Sequence, residues 1–102
     1  MSKPRTQLQS DLEDIIGSRN VYFQPPESLK MSFPAIVYSL SSIDNVFSSD
    51  SIYLRYNVYE IILIDKNPES LFVDRILGLP YCRFVRSYKA DNLNHYVFNI
   101  YF

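Results

Sequence analysis

The sequence predicts an α+β fold: an antiparallel β-sheet of about four strands, with an N-terminal helix and a second helix packed on one face. Three observations lead there. Two segments repeat apolar residues at helical spacing, the remaining regular segments alternate at strand period, and the order reads helix, short strand, strand, strand, helix, strand, strand. A chain of 102 residues suits one domain over 1–102. It buries roughly 60–70% of the surface its unfolded form exposes, enough for a single core with little left for a deep enclosed pocket.

The first helix is expected over about 5–17. Leu8, Leu12, Ile15 and Ile16 share a stripe, Pro4 or Arg5 opens it, and Gly17 with Ser18 ends it. So short an amphipathic helix needs the sheet as its partner. Asn20 to Phe23 is a candidate short strand, stopped by Pro25 and Pro26, and PPESLKMSFP is an irregular connection. Strand 35–41 follows, with Ile36, Tyr38 and Leu40 alternating against Val37 and Ser39. SSIDNVFSSDS, too long for a tight turn, reads as a loop with Val46 and Phe47 at its tip. Such a loop either folds its own side chains back or docks on a partner.

Strand 53–65 is the longest. Both of its faces turn apolar toward Ile64, so that end is expected to be central and covered on both sides, with the Tyr53 end more exposed. A helix over about 68–78 follows, with Asn67 as N-cap and Pro68 as first residue. Leu71, Phe72, Arg75, Ile76 and Leu79 outline its face, and Gly78 with Pro80 stops it. The chain closes with strands 83–89 and 95–102 around the turn residues Asp91 and Asn92; Tyr96, Phe98, Ile100 and Phe102 form a strong core face.

Composition narrows the function. Net charge is −1, which lacks the basic excess of a protein gripping nucleic-acid phosphates. Nine Tyr and seven Phe among 102 residues supply amphipathic surface of the kind used at interfaces. The lone Cys82 allows no internal disulfide and no all-cysteine zinc site. The N-terminus has no apolar signal core and no run approaches membrane-spanning length, so the expectation is a soluble protein that is not secreted.

Residues that suggest chemistry have simpler explanations. Two glycines, Gly17 and Gly78, do not make a phosphate-cradling loop. Asp65, Asn67 and Glu69 alternate like the start of a calcium loop, but Ser70 and Ile76 occupy its glycine and final carboxylate positions; a strand end and helix cap explain them better. Cys82 with His95 lacks any glycine-rich elbow or oxyanion hole, and a small buried cysteine is the better reading. Asp91 and His95 are expected to share a hydrogen bond steadying the hairpin rather than a proton-transfer role. Arg83, Arg86 and Lys89 among aromatics are compatible with a single-strand-binding sheet, but charge guarding an edge strand suffices. No catalytic, cofactor or metal residues are assigned, and the protein is not expected to be an enzyme.

From about Phe33 onward the stretches FPAIVYSL, YNVYEIILIDKNPES and LPYCRFVRSYKADNLNHYVFNIYF resemble the small tail terminator, or tail completion, proteins of long-tailed bacteriophages of Gram-positive hosts. The resemblance covers roughly 70 residues, and the aromatic C-terminal hairpin is its most specific part. It implies a virion structural protein that forms a ring, usually of six copies, at the head-proximal end of the tail tube. Such a ring ends tail polymerisation and presents a surface for head-tail joining. The implied partners are other copies of the chain, the tail tube protein and the head-tail connector. No cofactor, small-molecule substrate, membrane or specific nucleic acid is implied. The implied location is the tail-neck junction of the virion, with host cytoplasm during assembly. The alternatives are a head-side connector or stopper of the neck and a small single-stranded nucleic-acid-binding regulator. The interface is expected to use Val46, Phe47, Ile52 and Tyr53 of the loop, with Arg83 and Arg86 on the following edge strand.

Overall fold

A computed structural model describes residues 3–48 and 51–102. Its elements are α1 (Arg5–Ile16), β1 (Val21–Phe23), β2 (Ala35–Ser48), β3 (Ser51–Asp65), α2 (Phe72–Leu77), β4 (Cys82–Ala90) and β5 (Leu93–Tyr101). This is the α+β fold the sequence predicts, with one sheet of five strands in the order β1-β2-β3-β5-β4. The strand count is five rather than about four, and the sheet is mixed: β1 runs parallel to β2, whereas every other pair is antiparallel. Pro25 and Pro26 lie just beyond β1, which accounts for its three residues, because proline cannot donate to a ladder.

Strand alternation sorts the sheet into two faces. One carries Ile36 and Tyr38 of β2, opposite Leu63 and Ile61 of β3, which in turn face Tyr96 and Phe98 of β5. Leu8, Leu12 and Ile16 of α1 and Ile76 of α2 complete this core, and Phe98, Ile61, Leu63 and Ile100 are wholly removed from solvent. Burying side chains of this size stabilises by about 1.5–3 kcal/mol each. Tyr38 is the polar exception. Its hydroxyl accepts from the Arg5 guanidinium at 2.8 Å and donates to Gln9 Oε1 at 2.6 Å, so the buried oxygen is satisfied while tying α1 to β2.

The opposite face carries Val37, Ile62 and Val97 in one cross-strand row and Ala35, Ile64 and His95 in the next. Both helices pack on the first face, as expected, and β3 is the central strand of the sheet. Ile64 and Val97 are nonetheless buried, with Tyr88 and Arg86 of β4 flanking His95 and Val97. The flat Tyr88–His95 stack, 4.7 Å between centroids, extends this side-chain layer.

α1 opens after Pro4 and closes at Gly17, whose φ of 68° is the left-handed conformation glycine adopts without a Cβ penalty; its N–H donates to Glu13 O. α2 departs from expectation. It begins at Phe72 rather than 68, because Asp65 and Asn67 spend their side chains on successive turns: Asp65 Oδ1 accepts from Asn67 N, and Asn67 Oδ1 accepts from Glu69 N. β5 pins that turn, with Tyr96 Oη donating to Pro68 O and Asn94 Nδ2 to Lys66 O. Leu71, read as part of the helix face, is outside the helix and 75% exposed.

Candidate functional site

The region expected to be a loop is strand. β2 and β3 stay paired through Val46↔Leu54 and Phe47↔Ile52 to Ser48↔Ser51, although β5 leaves β3 at Val58 and β1 leaves β2 at Tyr38. Residues 42–48 and 51–57 therefore form a two-stranded ribbon beyond the body of the sheet. A run of seven paired residues reaches about 24 Å, in keeping with a molecule 50 × 25 × 23 Å. Its radius of gyration, 14.6 Å, exceeds the roughly 13 Å of a compact chain this long. The register steps between Leu40 and Ser42 and again between Val46 and Phe47 mark bulges, which increase local twist. Across the ribbon Arg55 Nε donates to Asn45 Oδ1 at 3.0 Å.

Of the four interface residues expected here, Phe47 is 63% exposed. The side chains of Val46, Ile52 and Tyr53 lie outside the described residues. Ile43 is also exposed, so the ribbon carries apolar side chains in solvent, and Leu40 just before it is exposed too.

The other two expected residues, Arg83 and Arg86, lie on β4, the last strand of the sheet. Residues 83–89 are exposed throughout, and among the described residues the outer side of β4 has no strand partner. Its apolar residues Phe84, Val85 and Tyr88 interleave with Arg83, Arg86 and Lys89. A register step between Phe84 and Arg86 separates their faces. Phe84 meets Phe98 edge-on at 5.6 Å on the helix side, whereas Arg86 pairs with Val97 on the other and sets its guanidinium over Tyr88. The β4–β5 turn has Asp91 and Asn92 both at positive φ, 53° and 62°, the pattern of a tight two-residue hairpin turn.

A recess of about 450 Å³, lined by Tyr56, Tyr81, Cys82, Arg83 and Tyr101, opens where the ribbon meets the sheet body. Tyr56 stands opposite Asp44 at the ribbon's base, and Tyr101 opposite Val58. The two rings meet edge-on at 6.2 Å. Tyr81 is 80% exposed yet held at φ 60°, and its carbonyl accepts from Tyr101 N. The left-handed region costs a non-glycine residue on the order of 1 kcal/mol. This recess was not legible in sequence, because its lining comes from three strands and a loop; only the density of tyrosine hinted at it.

The proton-transfer pairings dissolve in the geometry. Cys82 pairs with Ile100 on the helix side, while His95 lies opposite Tyr88 six residues further along β4, about 20 Å away. Burial pushes the Cys82 thiol up to about 11, which keeps it protonated and a poor nucleophile at neutral pH. The expected Asp91–His95 bond is replaced: His95 Nδ1 lies 3.1 Å from Leu93 O. Among the described residues no three His, Cys, Asp or Glu side chains gather as a metal site, and no helix is long and apolar enough to cross a membrane.

No family model matches the chain, and no curated protein matches it.

Proposed function

We propose that this protein is a structural component of a bacteriophage virion. It forms a ring at the head-proximal end of the tail tube, ends tube polymerisation there and offers the surface on which the head is joined. The observation that carries the reading is the ribbon of β2 and β3. Isolated two-stranded ribbons are marginal in water, and this one holds Phe47 in solvent at its far end. Such an element has physical sense when something else covers it. The open, basic and apolar edge of β4, at one end of the strand order, is a second surface suited to a neighbour. The likeness of residues 33–102 to tail terminator sequences, and an architecture of sheet plus helices that such a family leads one to expect, point the same way.

The test is electron microscopy of purified protein alone and mixed with tail tubes. Rings on their own and capping of tube ends are the expected outcome. Particles that stay monomeric and never bind a tube would rule the proposal out. A neck stopper on the head side would use the same surfaces, and localising the subunit along the neck of a virion separates the two roles.

A further inference from the structure

We propose that the open edge of β4 accepts an extended acidic segment of another protein, which adds to the five-stranded sheet as a further strand. This goes beyond the ring reading and does not depend on it.

The two edges of the sheet are unlike. β1 is three residues long, and α1 guards it, with Gln9 Nε2 donating to Val21 O at 2.9 Å. β4 is nine residues long, residues 83–89 are exposed, and among the described residues no strand pairs with its outer side. In an antiparallel pair alternate residues exchange both backbone bonds with the partner, and those between them turn N–H and C=O outward. An added strand satisfies such donors and acceptors together. The phosphates of a nucleic acid only accept, so the edge suits a polypeptide.

Side chains set the chemistry of that strand. β4 carries Arg83, Arg86 and Lys89 and no acidic residue. Residues an odd number apart on a regular strand point to opposite faces. The register step between Phe84 and Arg86 instead brings Arg83, opposite Asn99, and Arg86, opposite Val97, onto one face, with Tyr88, opposite His95, next along it. A strand that follows β4 as β5 does meets both guanidiniums with carboxylates at alternate positions, and Tyr88 with an apolar side chain at the next. Phe84 and Val85, both exposed, add apolar area. Cations on an edge keep like strands away. The same cations draw an acidic one.

A second copy supplies no such strand. Pairing β4 with β4 sets Arg83, Arg86 and Lys89 against the same three cations. Residues 1–4 contain Lys3 and no acid. Residues 24–34 balance Glu27 with Lys30 and contain Pro25, Pro26 and Pro34, which cannot donate to a ladder. The occupant is therefore a chain of different sequence.

The probe is a fluorescently labelled peptide of β4's length, with two glutamates at alternate positions, a tyrosine at the next alternate position, and threonine and valine elsewhere. Fluorescence anisotropy with the full chain at low ionic strength should show saturable binding, and hydrogen exchange should slow at backbone amides of residues 82–90. Methylating alternate amides of the peptide should abolish binding, because it removes ladder donors and keeps the charge. A peptide with lysine in place of both glutamates should not bind. Arg83→Glu with Arg86→Glu should weaken binding of the acidic peptide about tenfold or more. Both side chains are exposed, so the circular dichroism spectrum stays that of the parent. An acidic peptide that fails to bind at low salt overturns the proposal and leaves the cations as guards of the edge. Binding indifferent to amide methylation overturns strand addition, and tighter binding of an oligothymidylate of matched charge overturns the polypeptide occupant. Ring formation, read by electron microscopy, stands or falls separately from each of these results.

Discussion

Tyr38 shows how one side chain reconciles burial with polarity. It is 1% exposed, and burial is the main influence raising its phenol above the usual range, opposed by the adjacent Arg5 guanidinium. The hydroxyl remains tolerable there because Arg5 and Gln9 both bond it. Phe23 packs on the same ring at 5.0 Å, and the Arg5 guanidinium lies 4.4 Å from the centre of the Phe23 ring. Removing only the oxygen leaves two α1 side chains without their partner. Tyr38→Phe should therefore lower stability by about 1–2 kcal/mol, read as a lower urea midpoint at unchanged slope. Unchanged stability would mean that the network does not tie helix to sheet. Sequence alternation placed Tyr38 on one face with Ile36 and Leu40, but its hydroxyl partners, Arg5 and Gln9 about one turn apart on α1, needed the packed structure.

At the scale of elements, α1 and the last hairpin were legible because each follows a strong local rule. Leu8, Leu12 and Ile16 repeat at helical period ahead of a left-handed Gly17, and Asp91 with Asn92 take the positive φ that tight hairpins require. The ribbon was misread for the converse reason. SSIDNVFSSDS has the serine and aspartate content of a loop, and its β-character comes from pairing with residues 51–57 and from two bulges, neither of which is a local signal. α2 was overextended at its start because Asn67 and Pro68 form a good helix opening, yet Asn67 turns the chain instead. Replacing residues 45–55 with an Asn-Gly turn keeps the Asp44↔Tyr56 pair and removes the outer ribbon. The shortened protein should retain its fold, with a thermal midpoint within about 5 °C of the parent, while its self-association is lost. Collapse of the fold, or assembly as strong as before, would deny the ribbon a role in assembly.

For the whole molecule, the sheet order leaves unlike surfaces at different places: a projecting ribbon from the β2–β3 pair that holds Phe47 in solvent, and a basic edge on β4. A net charge of −1 conceals that basic edge, because the acidic residues that balance it lie elsewhere in the chain. Arg83→Glu combined with Arg86→Glu should weaken self-association about tenfold at low ionic strength. The deficit should shrink as salt screens the new repulsion. Sedimentation at two salt concentrations reads both effects, and equal association by parent and variant would remove the basic edge from the interface.

Local periodicity was sufficient to place seven regular segments in order and to identify the main core face, because burial of one side of a helix or strand leaves its imprint residue by residue. Strand neighbours, the free edge, the reach of the ribbon and the meeting of Tyr56, Tyr81 and Tyr101 around one recess depended on pairings between distant parts of the chain. Such pairings are selected by the packing of the whole, and no short window of residues contains them.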